Sequence, residues 1–177
     1  LIQIAEAIHA SIPKTGKIMK ELHALGADAY TRPSGPLDYV RALIETQADE
    51  GADYIAVNLD AFGEDNPDMA VEMMKEYVKL VRQWGKGIPV CVDSSNDDVL
   101  IAGLKEWYNT DQPVRPPQLN SIKLFTADKM MQLKKQYDFC FIGLLVTEDK
   151  AKGPGGSHSV EELFDLAQQI YAKAMQY

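Results

Sequence analysis

The stretch "PVCVDSSN", Pro89 to Asn96, decides the fold. Val90, Cys91 and Val92 make a short apolar run of the kind that fills a strand buried on both faces. It then gives way at once to Asp93, Ser94, Ser95 and Asn96. A core strand gains nothing from a carboxylate at its tip unless something polar meets it there.

The same pattern recurs outward from this point. "LIQIAEAI" (Leu1 to Ile8), "ADYIAVNLD" (Ala52 to Asp60), "PPQLNSIKLF" (Pro116 to Phe125) and "DFCFIGLLVTED" (Asp138 to Asp149) read as four further strands. Helical segments lie between them. "TGKIMKELHALG" stops at Gly26, and Leu37, Val40, Leu43 and Ile44 repeat at helical spacing before Glu50. Asn66 is placed to cap a helix with Pro67 at its first position and Gly85 at its end. The stripe Ala70, Met73, Met74, Tyr77, Leu80, Val81 and Trp84 on that helix reads as packing. A further helix is expected from about Asp97 to Trp107, one from Ala127 to Gln136 capped by Thr126, and a last one opened by a Ser159–Glu162 capping box. "ADAYTRPSGP" and "KGPGGSHS" are loops.

Strands alternating with helices predict an α/β fold with a parallel sheet. A barrel of eight such units takes about 250 residues, and this chain of 177 supplies five. Either the sheet is open with five strands, or the chain carries the N-terminal five βα units of a (β/α)8 TIM barrel and is incomplete, with strands six to eight absent. The reading favours the second, as one partial domain spanning residues 1–177.

Composition narrows the function. A net charge of −8 repels phosphate backbones and argues against nucleic acid. No apolar run approaches the roughly 18 residues of a membrane span. Cys91 and Cys140 lie in apolar runs and read as small buried hydrophobes in a cytoplasmic protein, with no metal-ligand spacing around them.

In parallel α/β folds, ligands bind beyond the carboxyl ends of the strands. There this chain places Glu6 and His9, Asn58 and Asp60, Asp93 with Ser95 and Asn96, Asn120 with Ser121 and Lys123, and Thr147 and Glu148. Burying unpaired acids and amides is costly, so their repetition predicts a shared polar ligand. An acceptor-rich set with amides suits a flat, neutral heterocycle carrying adjacent N–H and NH₂ donors. A pterin has that edge.

"GADYIAVNLD", "PVCVDSSN" with "IAGLK" behind it, and "LNSIK", in this order, resemble the pterin-binding methyltransferase family. That family includes methyltetrahydrofolate:corrinoid protein methyltransferases and the folate domain of cobalamin-dependent methionine synthase. The resemblance implies an eight-stranded βα barrel with the pterin at its mouth, and methyltetrahydrofolate or tetrahydrofolate as substrate. It further implies a corrinoid carried by a partner protein, and a homodimer. Asp93 would hold the ring edge, Asn120 would contact the ring, and Asn58 would add a contact or support Asp93. Ser95 and Asn96 join the pterin-binding set. Glu6 matches the acid of the family's "GERxN" pattern, altered here to "AEAIH" with His9 in the asparagine's place. The proton-transfer residue belongs to strands six to eight, so no catalytic residue is assigned, and no metal ligand. Alternatives are a dihydropteroate synthase-like enzyme, a pterin-binding protein without turnover, and a metal-dependent barrel enzyme using Asp60, Glu64 and Asp65. Lys123 and Arg115 are candidates for a folate's glutamate tail.

Overall fold

The structure is a computed structural model that describes residues 1–147 and 159–177. Glu148, most of the glycine-rich loop and His158 lie outside the described residues. Five strands, β1 (Ile4–His9), β2 (Tyr54–Asn58), β3 (Val90–Asp93), β4 (Gln118–Lys123) and β5 (Cys140–Leu144), form one sheet in the order β1-β2-β3-β4-β5. Every neighbouring pair is parallel. Doubly wound sheets reverse their strand order at a switch point; this one runs on without reversal.

The helices are α1 (Pro13–Ala24), α2 (Gly35–Asp49), α3 (Asp60–Gly63), α4 (Pro67–Trp84), α5 (Asp97–Trp107), α6 (Ala127–Met131) and α7 (Val160–Ala174). Local chemistry sets their starts. Asn66 accepts from Met69 N at 3.2 Å at the head of α4, with Pro67 first in the helix. Ser159 accepts from Glu162 N while Glu162 accepts from Ser159 N, the expected capping box. Thr126 departs from expectation. It stands at the N-cap position of α6 but makes no capping bond: a 3₁₀ turn over Leu124–Thr126 runs straight into the helix and gives it a helical backbone, and its hydroxyl donates back to Lys123 O. The expected helix to Gln136 also shortens, and its second half is a 3₁₀ segment, Gln132–Lys135.

Alternation along the strands sorts their residues by face. Ile55 and Val57 of β2, Val90 and Val92 of β3, and Leu119 and Ile122 of β4 join one buried cluster with Met19, Ile44, Met74, Tyr77, Leu100 and Trp107 of the helices. The apolar core therefore sits between the helices and one face of the sheet. Gly103 on α5 permits this closeness: a Cβ there would meet the Val92 methyls at 2.7 and 2.8 Å.

The opposite face carries Tyr54, Ala56, Asn58, Cys91, Asp93, Gln118, Asn120 and Cys140, and it is concave. Tyr54 Oη lies 3.2 Å from Cys140 Sγ, although β3 and β4 separate their strands. Three strand spacings span about 14 Å on a flat sheet, farther than a tyrosine and a cysteine side chain can bridge. Only a sheet curled toward this face brings them together. Among the described residues, no helix is long and apolar enough to cross a membrane.

Candidate functional site

The polar strand ends fall on a single rung. Register pairs His9 with Asn58, Asn58 with Asp93, and Asp93 with Asn120; on β5 the rung ends at Ile142. Residues opposed across a parallel sheet project to the same side, so these four side chains leave the concave face together, from the last residues of β1, β2 and β3 and from the middle of β4. The apolar halves of the strands hold the rung in place by docking on the helices behind it.

Asp93 is the centre of the rung. Burial raises its carboxyl pKa above the ordinary range; a hydrogen bond from the Asn58 side chain partly opposes this, the Asp60 and Glu6 carboxylates push the same way as burial, and His9 draws it back. The result is a half-buried carboxylate whose side-chain donor is Asn58. Asn58, itself buried, is held by accepting from Asp60 N at 3.1 Å. That bond occupies the amide oxygen and leaves the NH₂ for Asp93.

The turn after β3 is clamped from both sides. Asp60 accepts from Ser94 Oγ at 2.5 Å and from Ser95 N at 2.8 Å. Lys123 Nζ donates to Ser95 O at 2.7 Å, and Ser94 N donates to Asn120 O at 2.8 Å. Both backbone polar groups of Ser95 are thus used, and the residue lines a small cleft with Asp60, Gly63, Glu64 and Asn96 that no rung residue joins. Asn96 takes a different role from the one expected. Its side-chain oxygen accepts from Asp98 N at 2.8 Å as the N-cap of α5, because a helix start leaves donors that an amide oxygen satisfies.

Glu6 is exposed, within the register irregularity of β1 between Ala5 and Ile8. Its charge adds slightly to the upward shifts of the Asp93 carboxyl and the Cys91 thiol. His9 accepts from Ser11 N at 3.1 Å through Nδ1, which leaves Nε2 for other partners. Lys123 reaches the rim, whereas Arg115 precedes the amino end of β4, where its carbonyl accepts from Trp107 Nε1, and stands apart from the rung. Thr147 lies exposed beyond β5. Asp60 is committed to Ser94 and Ser95 rather than gathered with Glu64 and Asp65. Among the described residues, no group of three or more His, Cys, Asp or Glu side chains is arranged to hold a metal ion.

Two clefts lie elsewhere, one among Lys79, Arg82, Trp107 and Arg115, another among His23, Tyr30, Glu72 and Glu76. Neither gathers a strand-end residue. The concave rung is the stronger candidate because four strands converge their polar groups on it, whereas the acids and bases around those clefts pair locally, Lys79 with Glu76 and Arg82 with Glu106.

Two features of the concave face escaped the sequence reading. Tyr54 and Cys140 close the curve of the sheet, and Gln118 sits one layer beneath Asn120, buried, with its Oε1 unpartnered. The signal for Gln118 was present in "QLN", where polar residues flank the core residue Leu119 at period two. Comparison with models of known protein families finds no match, and no curated protein matches the chain.

Proposed function

We propose that the chain forms five units of a pterin-binding βα barrel and takes part in moving a methyl group between a tetrahydrofolate-type pterin and a corrinoid carried by a partner protein. The observation that carries the reading is the Asn58–Asp93–Asn120 rung on the concave face. Strand order without reversal and a curled sheet are the properties that five consecutive barrel units have. The residues that carried the resemblance lie next to one another on this rung.

Asp93 is half-exposed with Asn58 as its side-chain donor, and the guanidine-like edge of a pterin offers two parallel N–H groups that a carboxylate accepts together. Asn120, beside it, can donate and accept at once, which suits the mixed carbonyl and nitrogen edge of the same ring. Asn58 steadies Asp93, and the Asp60–Ser94–Ser95 clamp fixes the turn that aims it. These residues orient the ring and lower the entropy cost of reaction. Asp93 and Asn120 are only partly buried, so a ring held by them is open to approach from the rim. The corrinoid would supply the methyl-accepting or methyl-donating centre from outside. A cytoplasmic setting and a homodimer belong to the same reading.

Titration of the protein with methyltetrahydrofolate tests the proposal. Saturable binding that Asp93→Ala and Asn120→Ala each weaken at least tenfold supports it. Affinity indifferent to both substitutions removes it, along with the dihydropteroate synthase-like and turnover-free alternatives. Methyl exchange with a methylated corrinoid protein separates the transferase from those alternatives.

A further inference from the structure

The rim above the rung carries a cation without an anion beside an aromatic ring without a cover. Ile122 packs in the core and strand residues alternate, so Lys123, the last residue of β4, rises on the concave side, nearer the carboxyl end than Asn120. The 3₁₀ turn that follows, Leu124–Thr126, lifts Phe125 out of the core and leaves it 45% exposed. Both residues are tied to the site. Lys123 Nζ donates to Ser95 O at 2.7 Å, two residues past Asp93, and stands 5.9 Å from the centre of the Phe125 ring. The aromatic ring therefore borders the turn that aims Asp93.

An ammonium has three N–H donors, and Lys123 spends one on the Ser95 carbonyl. Among the described residues no carboxylate pairs with it, although acids outnumber bases 26 to 18 in the chain. A lone exposed phenylalanine needs no explanation. One that sits with an unpaired ammonium, at the edge of a ring-binding rung, has a definite complement: an aromatic plane that ends in a carboxylate.

We infer that Phe125 and Lys123 form a second subsite, at the rim, for the substituent that a folate carries beyond its pterin ring. The inference rests on the pterin reading and deepens it. Asp93 takes the guanidine-like edge, so the substituent at the far end of the bicycle leaves toward the open rim. There the aminobenzoyl plane stacks on Phe125, and a glutamate carboxylate of the tail accepts from the remaining Lys123 donors. None of the contacts given to Asp93, Asn58 or Asn120 is drawn on. The rung fixes which ring binds, and the rim selects a conjugated folate over a bare pterin.

The test measures binding of tetrahydrofolate and of a methyl-substituted tetrahydropterin, which has the ring and no tail, by the wild-type chain, Phe125→Ser and Lys123→Gln. The wild type is expected to prefer tetrahydrofolate about tenfold, and each substitution to lower that ratio about threefold. The ratio is the readout because glutamine is shorter than lysine, and a loosened Ser95 turn weakens both ligands alike. Phe125 lies outside the buried core, so its variant reports even if Lys123→Gln disturbs the turn. Raised salt also lowers the wild-type ratio, since the tail contact is ionic and exposed. A wild-type ratio near one, or a ratio unchanged in both variants, overturns this inference and leaves the pterin reading standing. A wild type that binds neither ligand overturns both.

Discussion

Tyr54 on β2 and Cys140 on β5 meet hydroxyl to thiol at 3.2 Å across two intervening strands. The contact is a chord of the curved sheet. It also raises the Tyr54 phenol to about 12, chiefly through the hydrogen bond with Cys140 and then through burial. Tyr54→Ala removes the cover over Cys140, and reaction of that thiol with an aromatic disulfide reagent will accelerate several-fold. Cys91 remains unreactive in the same assay, because it is fully buried and burial holds its thiol far above its ordinary pKa. Equal labelling of both cysteines in the native protein contradicts the curvature drawn here.

Asp93 gives a prediction with a sign. Its carboxyl pKa is raised on folding, so the folded state holds a proton that the unfolded chain releases. Stability tied to this group is present at acid pH and is lost as pH rises from the ordinary carboxylate value through the raised one. Asp93→Asn removes that loss, and its melting temperature at neutral pH equals or exceeds the wild type's. If the proposed pterin reading holds, ligand binding moves the other way: N–H donors need the ionised carboxylate, so pterin affinity falls as pH drops through the raised value. The Asn variant binds weakly at every pH. A pH-independent affinity in the wild-type protein refutes the role given to Asp93.

Asp60 aims the rim without belonging to the rung. Asp60→Ala deletes the acceptor for Ser94 Oγ and Ser95 N. Hydrogen bonds to a charged group contribute about 1.5–3 kcal/mol each, and removing the carboxylate also relieves its repulsion of Asp93, so a net loss of roughly 1–3 kcal/mol is expected from chemical denaturation. Pterin affinity falls with it, because the turn that carries Asp93 loosens. Full affinity after this substitution shows that the clamp does not position the site.

Gly103 tests the packing behind the rung. Its missing Cβ is replaced by the Val92 methyls, so Gly103→Ala forces α5 away from β3. Over-packing of this kind costs about 1–3 kcal/mol. Denaturant midpoints measure it, and an unchanged midpoint denies the tight helix–sheet contact.

The parallel order of strands and helices was legible because each apolar run ends in a polar group and most helices announce their starts, as at Asn66–Pro67 and Ser159–Glu162. The rung was legible for a related reason: Asn58 and Asp93 each close an apolar strand, and Asn120 interrupts the apolar residues Leu119 and Ile122 within β4. Other features were not. Asn96 carries the same chemistry as Asn58, and only register and the start of α5 separate a capping amide from a rim amide. Thr126 takes the N-cap position its sequence suggests, but the preceding 3₁₀ turn leaves its hydroxyl bonded back to Lys123 O instead of to the helix. Tyr54 and Cys140 are 86 residues apart in the chain, and nothing local in either segment predicts their contact. Gln118 reads as an ordinary alternating strand residue; its lack of a partner exists only once Cys91 and Cys140 are set beside it.

Alternation along β2, β3 and β4 gives odd and even residues separate masters. Ile55, Val57, Val90, Val92 and Leu119 pack against the helices, while Asn58, Asp93 and Asn120 stand on the opposite, concave face. Randomising the second set alone will therefore yield libraries that mostly still fold while their ligand preferences diverge. Such a scaffold can change its chemistry by single substitutions without renegotiating its core.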